Sequence, residues 1–193
     1  MRKATLISTA ALSATALLLA GCGSKNEDKA GDATTCPSAA APTDGKVAWT
    51  LPGMTGQIKI VAPTAAHSPG VTVQAPFTVG KTTVQTLTEG KGEAIKLEDT
   101  VSVCYMGVNG RDGSVFDSAY QRGAPTPFPL TNVVPGFQKA IVGQKPGATV
   151  AVAMTPADGY GPMGGQPDAH IQADDSLVFV LQIKGLEAAE TPE

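Results

Sequence analysis

Two stretches near the C-terminal end alternate so strictly that they leave little choice of secondary structure. In TVAVAMT (149–155) Val150, Val152 and Met154 fall on one face and small residues on the other. In SLVFVLQIK (176–184) Leu177, Phe179, Leu181 and Ile183 share a face. Period two is a strand signature, because successive side chains leave opposite sides of an extended backbone. The apolar faces of such strands must be covered, so a sheet packed on a core is the minimum fold.

The pattern extends upstream. TVSVCYMG (100–107) places Val101, Val103 and Tyr105 on one face and Ser102, Cys104 and Met106 on the other, and TTVQTLTEGKG (82–92) alternates around Val84 and Leu87 before a glycine turn. Asn109 and Gly110 are residue types that a tight hairpin takes in left-handed conformations. A single helix is expected within VVPGFQKAIVGQKPG (133–147). Pro135 suits its first turn, Phe137, Ala140 and Ile141 recur at the spacing of one buried face, and Gly143 and Pro146 stop it. The expected fold is α+β, an antiparallel β-sheet packed on one short α-helix over residues 81–188, long enough to close its own core.

The N-terminal part reads differently. Arg2 and Lys3 precede an uncharged run from Ala4 to Ala20, the layout of an export signal (1–21). The run ends in LAGC, which resembles the bacterial lipoprotein signal and implies cleavage before Cys22 and lipidation of that residue. A tether of Ala, Ser, Asp, Pro and Gly follows (22–45), with no aromatic residue and too little apolar surface to offset its own ordering. Between 46 and 80 lie short β-like pieces around Trp49, Ile58, Ile60, Val71 and Val73, broken by Pro52, Pro63, Pro69 and Pro76 as in edge strands. They read as an accessory arm before the 81–188 domain, and 189–193 reads as a tail.

Composition narrows the function. Without Arg2 and Lys3 the 14 basic residues become 12 against 17 acidic ones, a net charge of −5, so there is no electrostatic reason to seek nucleic acid. His67 and His170 lie far apart in the sequence with no cysteine or carboxylate cluster beside them, so no metal site is expected. Cys36 and Cys104 would share an oxidising compartment, but spacing alone does not decide whether they bond. Taken singly, Tyr105, Phe116 and Phe179 read as core aromatics, Asp117-Ser118 as a turn, Arg122 as a surface charge or a partner of Asp117, and Tyr160 as a loop anchor.

Taken in order, VCYMG, VFDS, VVPGFQKAI, TPADGYG and SLVFVLQI resemble the FKBP-type peptidyl-prolyl cis-trans isomerase family from about Lys81 to Leu186. The resemblance implies a strongly curved antiparallel sheet wrapped around the short helix, with an aromatic proline pocket between them. It implies Tyr105, Phe116, Asp117 and Tyr160 as catalytic positions, with Phe128, Val133, Val134, Phe137, Ile171 and Phe179 holding substrate. Phe137 stands where most members have tryptophan, Thr126 where many have an aromatic residue, and the loop 161–175 lacks the usual Ile-Pro-Pro run. These departures imply a roomier, less greasy site. The expected activity is rotation about X-Pro bonds in exported polypeptides, without a cofactor, by a protein anchored through lipid on the outer face of the cytoplasmic membrane, or else in the periplasm or at the cell surface. The expected partners are proline-containing unfolded or exported chains and the macrolide inhibitors of the family. The alternative is a weakly catalytic or non-catalytic proline-segment binding module or chaperone.

Overall fold

The computed structural model of the protein describes residues 33–187. The expected signal peptide, the Cys22 lipidation site and the tail lie outside the described residues. In chain order, β1 (Val47–Pro52), β2 (Thr55–Val61) and β3 (Gly70–Thr78) make a three-stranded antiparallel sheet. The remaining strands, β4 (Thr83–Thr88), β5 (Thr100–Asn109), β6 (Val115–Ser118), β7 (Thr126–Pro129), β8 (Thr149–Met154) and β9 (Leu177–Leu186), form a second antiparallel sheet. Its order is β4-β8-β9-β5-β6, with β7 also paired to β5. The first half of β5 pairs with β7, and its second half with β6. Two α-helices, α1 (Ala119–Arg122) and α2 (Pro135–Ile141), interrupt the strands.

The alternation seen in β8 and β9 places two cores. Val150, Val152, Met154, Leu177, Phe179, Leu181 and Ile183 point to the face covered by α2, which contributes Phe137, Ala140 and Ile141. The opposite face carries Ala151, Ala153, Val178 and Val180, and packs against Ile58, Ile60 and Phe77 of the three-stranded sheet. Helix α2 lies close against β8: a Cβ added to Gly136 would stand 2.9 Å from the Met154 Cβ and 2.7 Å from its sulfur, so any side chain there would press the helix away from the strand.

Three sequence expectations need correcting. The 46–80 segment is a layer rather than an arm, because Ile58, Ile60 and Phe77 bury the small-residue face that alternation alone left uncovered. The tether-like composition does not keep the described residues 33–45 free, because Cys36 forms a disulfide with Cys104 and Ala39 bridges to His67. Asn109 and Gly110 are not the left-handed residues of the β5–β6 turn; that role falls to Gly113, at φ 78. Gly110 serves close approach instead: its carbonyl accepts from the Phe77 amide of the three-stranded sheet, and its own amide donates to the Ser176 carbonyl just before β9. The sheet packs on α2 as expected, and α1 adds a second helix of four residues. Among the described residues no helix is long and apolar enough to cross a membrane.

Phe77 is fully buried between the sheets. Phe77→Ala should therefore cost about 3–5 kcal/mol of stability, the usual range for emptying a buried phenylalanine site. Denaturant titration of the soluble domain checks this, and a loss below about 1 kcal/mol would mean the three-stranded sheet is only loosely attached.

Candidate binding pocket

A cavity of about 330 Å³ opens between α2, the β5–β6–β7 end of the sheet, β9 and the loop after β8. Tyr105, Phe116, Asp117, Phe128, Val133, Val134, Phe137, Tyr160 and Phe179 line it, together with Asn132 and Met163. The rings meet edge to face: Phe116 stands 5.4 Å from Phe179, Phe137 5.5 Å from Phe179, and Phe128 5.2 Å from Phe137. Such contacts add to area burial and hold the rings in fixed orientations. Local sequence explains the wall: a Cβ on Gly107 would fall 2.5 Å from the Phe116 ring and 2.8 Å from Phe179, so the glycine of VCYMG makes room for both.

Asp117 occupies one edge, in a polar trio. The Tyr105 hydroxyl donates to its Oδ2, Arg122 Nη1 donates to its Oδ1 at 2.5 Å, and Arg122 Nη2 donates to the Tyr105 hydroxyl oxygen at 2.7 Å. The guanidinium also lies 5.4 Å from the centre of the Tyr105 ring. Burial opposes the Asp117 charge, but the hydrogen bonds from Tyr105 and Arg122 outweigh it and hold the carboxyl below its ordinary value. Burial, reinforced by the bond to Asp117, pushes the Tyr105 hydroxyl up to about 12. Near neutral pH the trio is therefore carboxylate, phenol and guanidinium, with both carboxylate oxygens already in use. Tyr160 is also pushed up by burial and by the Asp117 charge, and its hydroxyl has no hydrogen-bond partner among the described residues.

Nine of the ten site residues read from the sequence within the described region line this one cavity. Ile171 does not: it is buried in the same core but lines a neighbouring cavity with Arg111 and His170. Thr126 lies off the cavity on β7, paired with Val103, with its hydroxyl 3.5 Å from Arg122 Nη2. Asn132 and Met163 were missed, since both sit on short 3-10 turns where no periodicity marks an inward position. Arg122 had a usable signal in SAYQRG, where Ser118 Oγ accepts from the Gln121 amide and Gly123, at φ 75, ends α1.

The profile of the family described as FKBP-type peptidyl-prolyl cis-trans isomerase matches residues 91–184. The "Probable FK506-binding protein" of Corynebacterium glutamicum is 33% identical over 94 residues, covering 49% of this chain and 77% of that protein. "Peptidyl-prolyl cis-trans isomerase Mip" of Coxiella burnetii is 37% identical over 99 residues, or 50% of this chain and 41% of that protein. The crystal structure of FkpA from Escherichia coli superposes with a TM-score of 0.51 at 34% identity, covering 56% of this chain and 49% of that one. The chain thus spans less than half of the Coxiella and Escherichia proteins.

The trio fixes how pH acts on this edge. The folded value of Asp117 lies below its unfolded value of about 4, so its contribution is complete above that pH and is lost as pH falls through the folded value. Tyr105 is raised, so its contribution is complete below about 10 and is lost as pH rises through about 12. The Tm difference between wild type and Asp117→Asn should stay constant between about pH 5 and 9 and shrink below about pH 4. A difference that changes steadily around neutrality would mean that Asp117 titrates there, contrary to the geometry.

Proposed function

From the premise that the chain belongs to the FKBP-type peptidyl-prolyl cis-trans isomerase family, we propose that its pocket accelerates rotation about X-Pro bonds in exported polypeptides. The observation that carries this reading is the convergence of Phe116, Phe137, Phe179, Tyr105 and Asp117 on one cavity of proline-holding size.

The reaction needs no bond to break. An X-Pro amide prefers trans by only about 0.5–1 kcal/mol, while the barrier to rotation is about 18–20 kcal/mol, because twisting removes amide resonance. The planar amide is the more charge-separated form and loses more on leaving water than the twisted one. An aromatic pocket therefore binds the twisted state better than the ground state, which is the condition for acceleration. Phe116, Phe128, Phe137 and Phe179 grip the proline ring and exclude water. Val133 and Val134, just before α2, offer backbone groups to the peptide. Tyr160 donates its unengaged hydroxyl to a substrate carbonyl. Asp117 moves no proton; held by Tyr105 and Arg122, it gives the rotating carbonyl a fixed polar edge. The same cavity has the ring lining that a macrolide with a proline-like ring would enter.

We further propose that the protein works outside the cytoplasm, held to the membrane by lipid on Cys22. Besides the N-terminal sequence, the Cys36–Cys104 disulfide supports an oxidising compartment. Cys22→Ala should release the protein or leave it unprocessed; a processed, membrane-bound variant would exclude the anchor.

A protease-coupled assay on an Ala-Leu-Pro-Phe peptide tests the activity. The soluble domain at micromolar concentration should accelerate cis-to-trans conversion. Asp117→Asn and Tyr160→Phe should each lower kcat/KM about three- to tenfold with the fold intact, in line with the loss of one hydrogen bond. Peptide binding without acceleration would leave a proline-binding module. Equal turnover by Asp117→Asn would remove that residue from the mechanism.

A further inference from the structure

The polar trio that holds Asp117 is braced poorly by its own elements. Helix α1 has four residues, far fewer than a helix needs to persist alone. The Asp117 and Arg122 side chains are 42% and 48% exposed, and exposed ion pairs hold geometry weakly. The neighbouring backbone must therefore set where Tyr105 and Arg122 stand.

One residue outside the family-like domain touches both places. Cys36 is bonded through its sulfur to Cys104, the residue before Tyr105, with Cα atoms 5.6 Å apart. Its backbone N–H donates to the carbonyl oxygen of Gly123, the residue after Arg122, at 3.0 Å. Cys36 is 4% exposed and Cys104 fully buried. The strap carrying Cys36 is fastened in turn to the loop before β3, where the Ser68 amide donates to the Ala39 carbonyl at 2.7 Å and Ala39 bridges to His67. A covalent link and a hydrogen bond from one residue thus span the two positions whose side chains fix Asp117.

We propose that Cys36 is a positioning residue for the pocket: through its disulfide to Cys104 and its hydrogen bond to Gly123, it holds Tyr105 and Arg122 at the separation that Asp117 requires. The idea rests on the isomerase reading of the pocket. It explains why a segment of tether-like composition is folded back against the domain, and it makes the segment before β1 part of the site's support. Cys36 acts through Tyr105 and Arg122 and need not touch substrate.

A double-mutant cycle tests it. kcat/KM for an X-Pro peptide is measured for the full chain as wild type, Cys36→Ala/Cys104→Ala, Arg122→Ala and the three changes combined, well below each thermal midpoint. Loss of the disulfide should lower kcat/KM about tenfold, the scale of a small misplacement of site groups. In the Arg122→Ala background the same loss should cost clearly less than tenfold, because only Tyr105 is then left for the brace to place. A disulfide-free variant with wild-type kcat/KM, or losses that multiply in the combined variant, would overturn the proposal. Amide hydrogen exchange on the wild type gives a second reading that needs neither activity nor a folded variant. The Cys36 amide should be protected as strongly as those of β5, and exchange at the rate of an open loop would equally overturn it. Absence of any acceleration by the wild type would sink the isomerase reading alone, and exchange would still decide whether the brace exists.

Discussion

Phe179 stands on β9 with its ring 5.4 Å from Phe116 at the sheet edge and 5.5 Å from Phe137 on α2. One side chain thereby ties the centre of the sheet, its β6 margin and the helix into a single aromatic cluster. The cavity exists because these rings meet edge to face and leave the space between Phe116, Phe137 and Tyr160 unfilled. The backbone must be bare at Gly107 and Gly136 for the rings and the helix to come so near. The site therefore depends on the packing of the core rather than on a loop hung from it.

The polar edge follows a different logic. A carboxylate beside four phenylalanines would ordinarily be expelled to water or neutralised by a proton. Here Tyr105 and Arg122 supply hydrogen bonds that keep Asp117 charged, while Asp117 in turn fixes the direction of the Tyr105 hydroxyl. A group with both oxygens engaged makes a poor proton carrier and a good fixed dipole, which suits a reaction whose barrier is resonance rather than proton transfer. The disulfide and the strap extend that rigidity to the three-stranded layer on the far side of the sheet.

Much of this was legible in the sequence because it is local. The alternation in β8 and β9 placed both faces correctly, the helical spacing of Phe137, Ala140 and Ile141 named the buried side of α2, and the order of short motifs gathered the pocket. What failed to show is non-local. Cys36 and Cys104 are 68 residues apart, and only tertiary packing brings them to bonding distance. The prolines of the 46–80 segment concealed a paired sheet, because they fall at strand ends and at one position within β3 and so read as breakers. Asn109-Gly110 matched a turn rule, but contact with Phe77 and Ser176 decided its conformation. Ile171 matched by motif order, yet the loop that carries it turns it into the core beside the pocket.

In the proposed binding mode the proline ring sits within the aromatic cluster with its amide along the Asp117 edge. The direct measurement is an isotope-filtered NOE spectrum of the soluble domain saturated with an unlabelled proline tetrapeptide. NOEs are expected from the proline ring protons to the rings of Phe116, Phe137 and Phe179, with exchange cross-peaks linking the cis and trans peptide. Contacts confined to other surfaces, with those rings unperturbed, would contradict it.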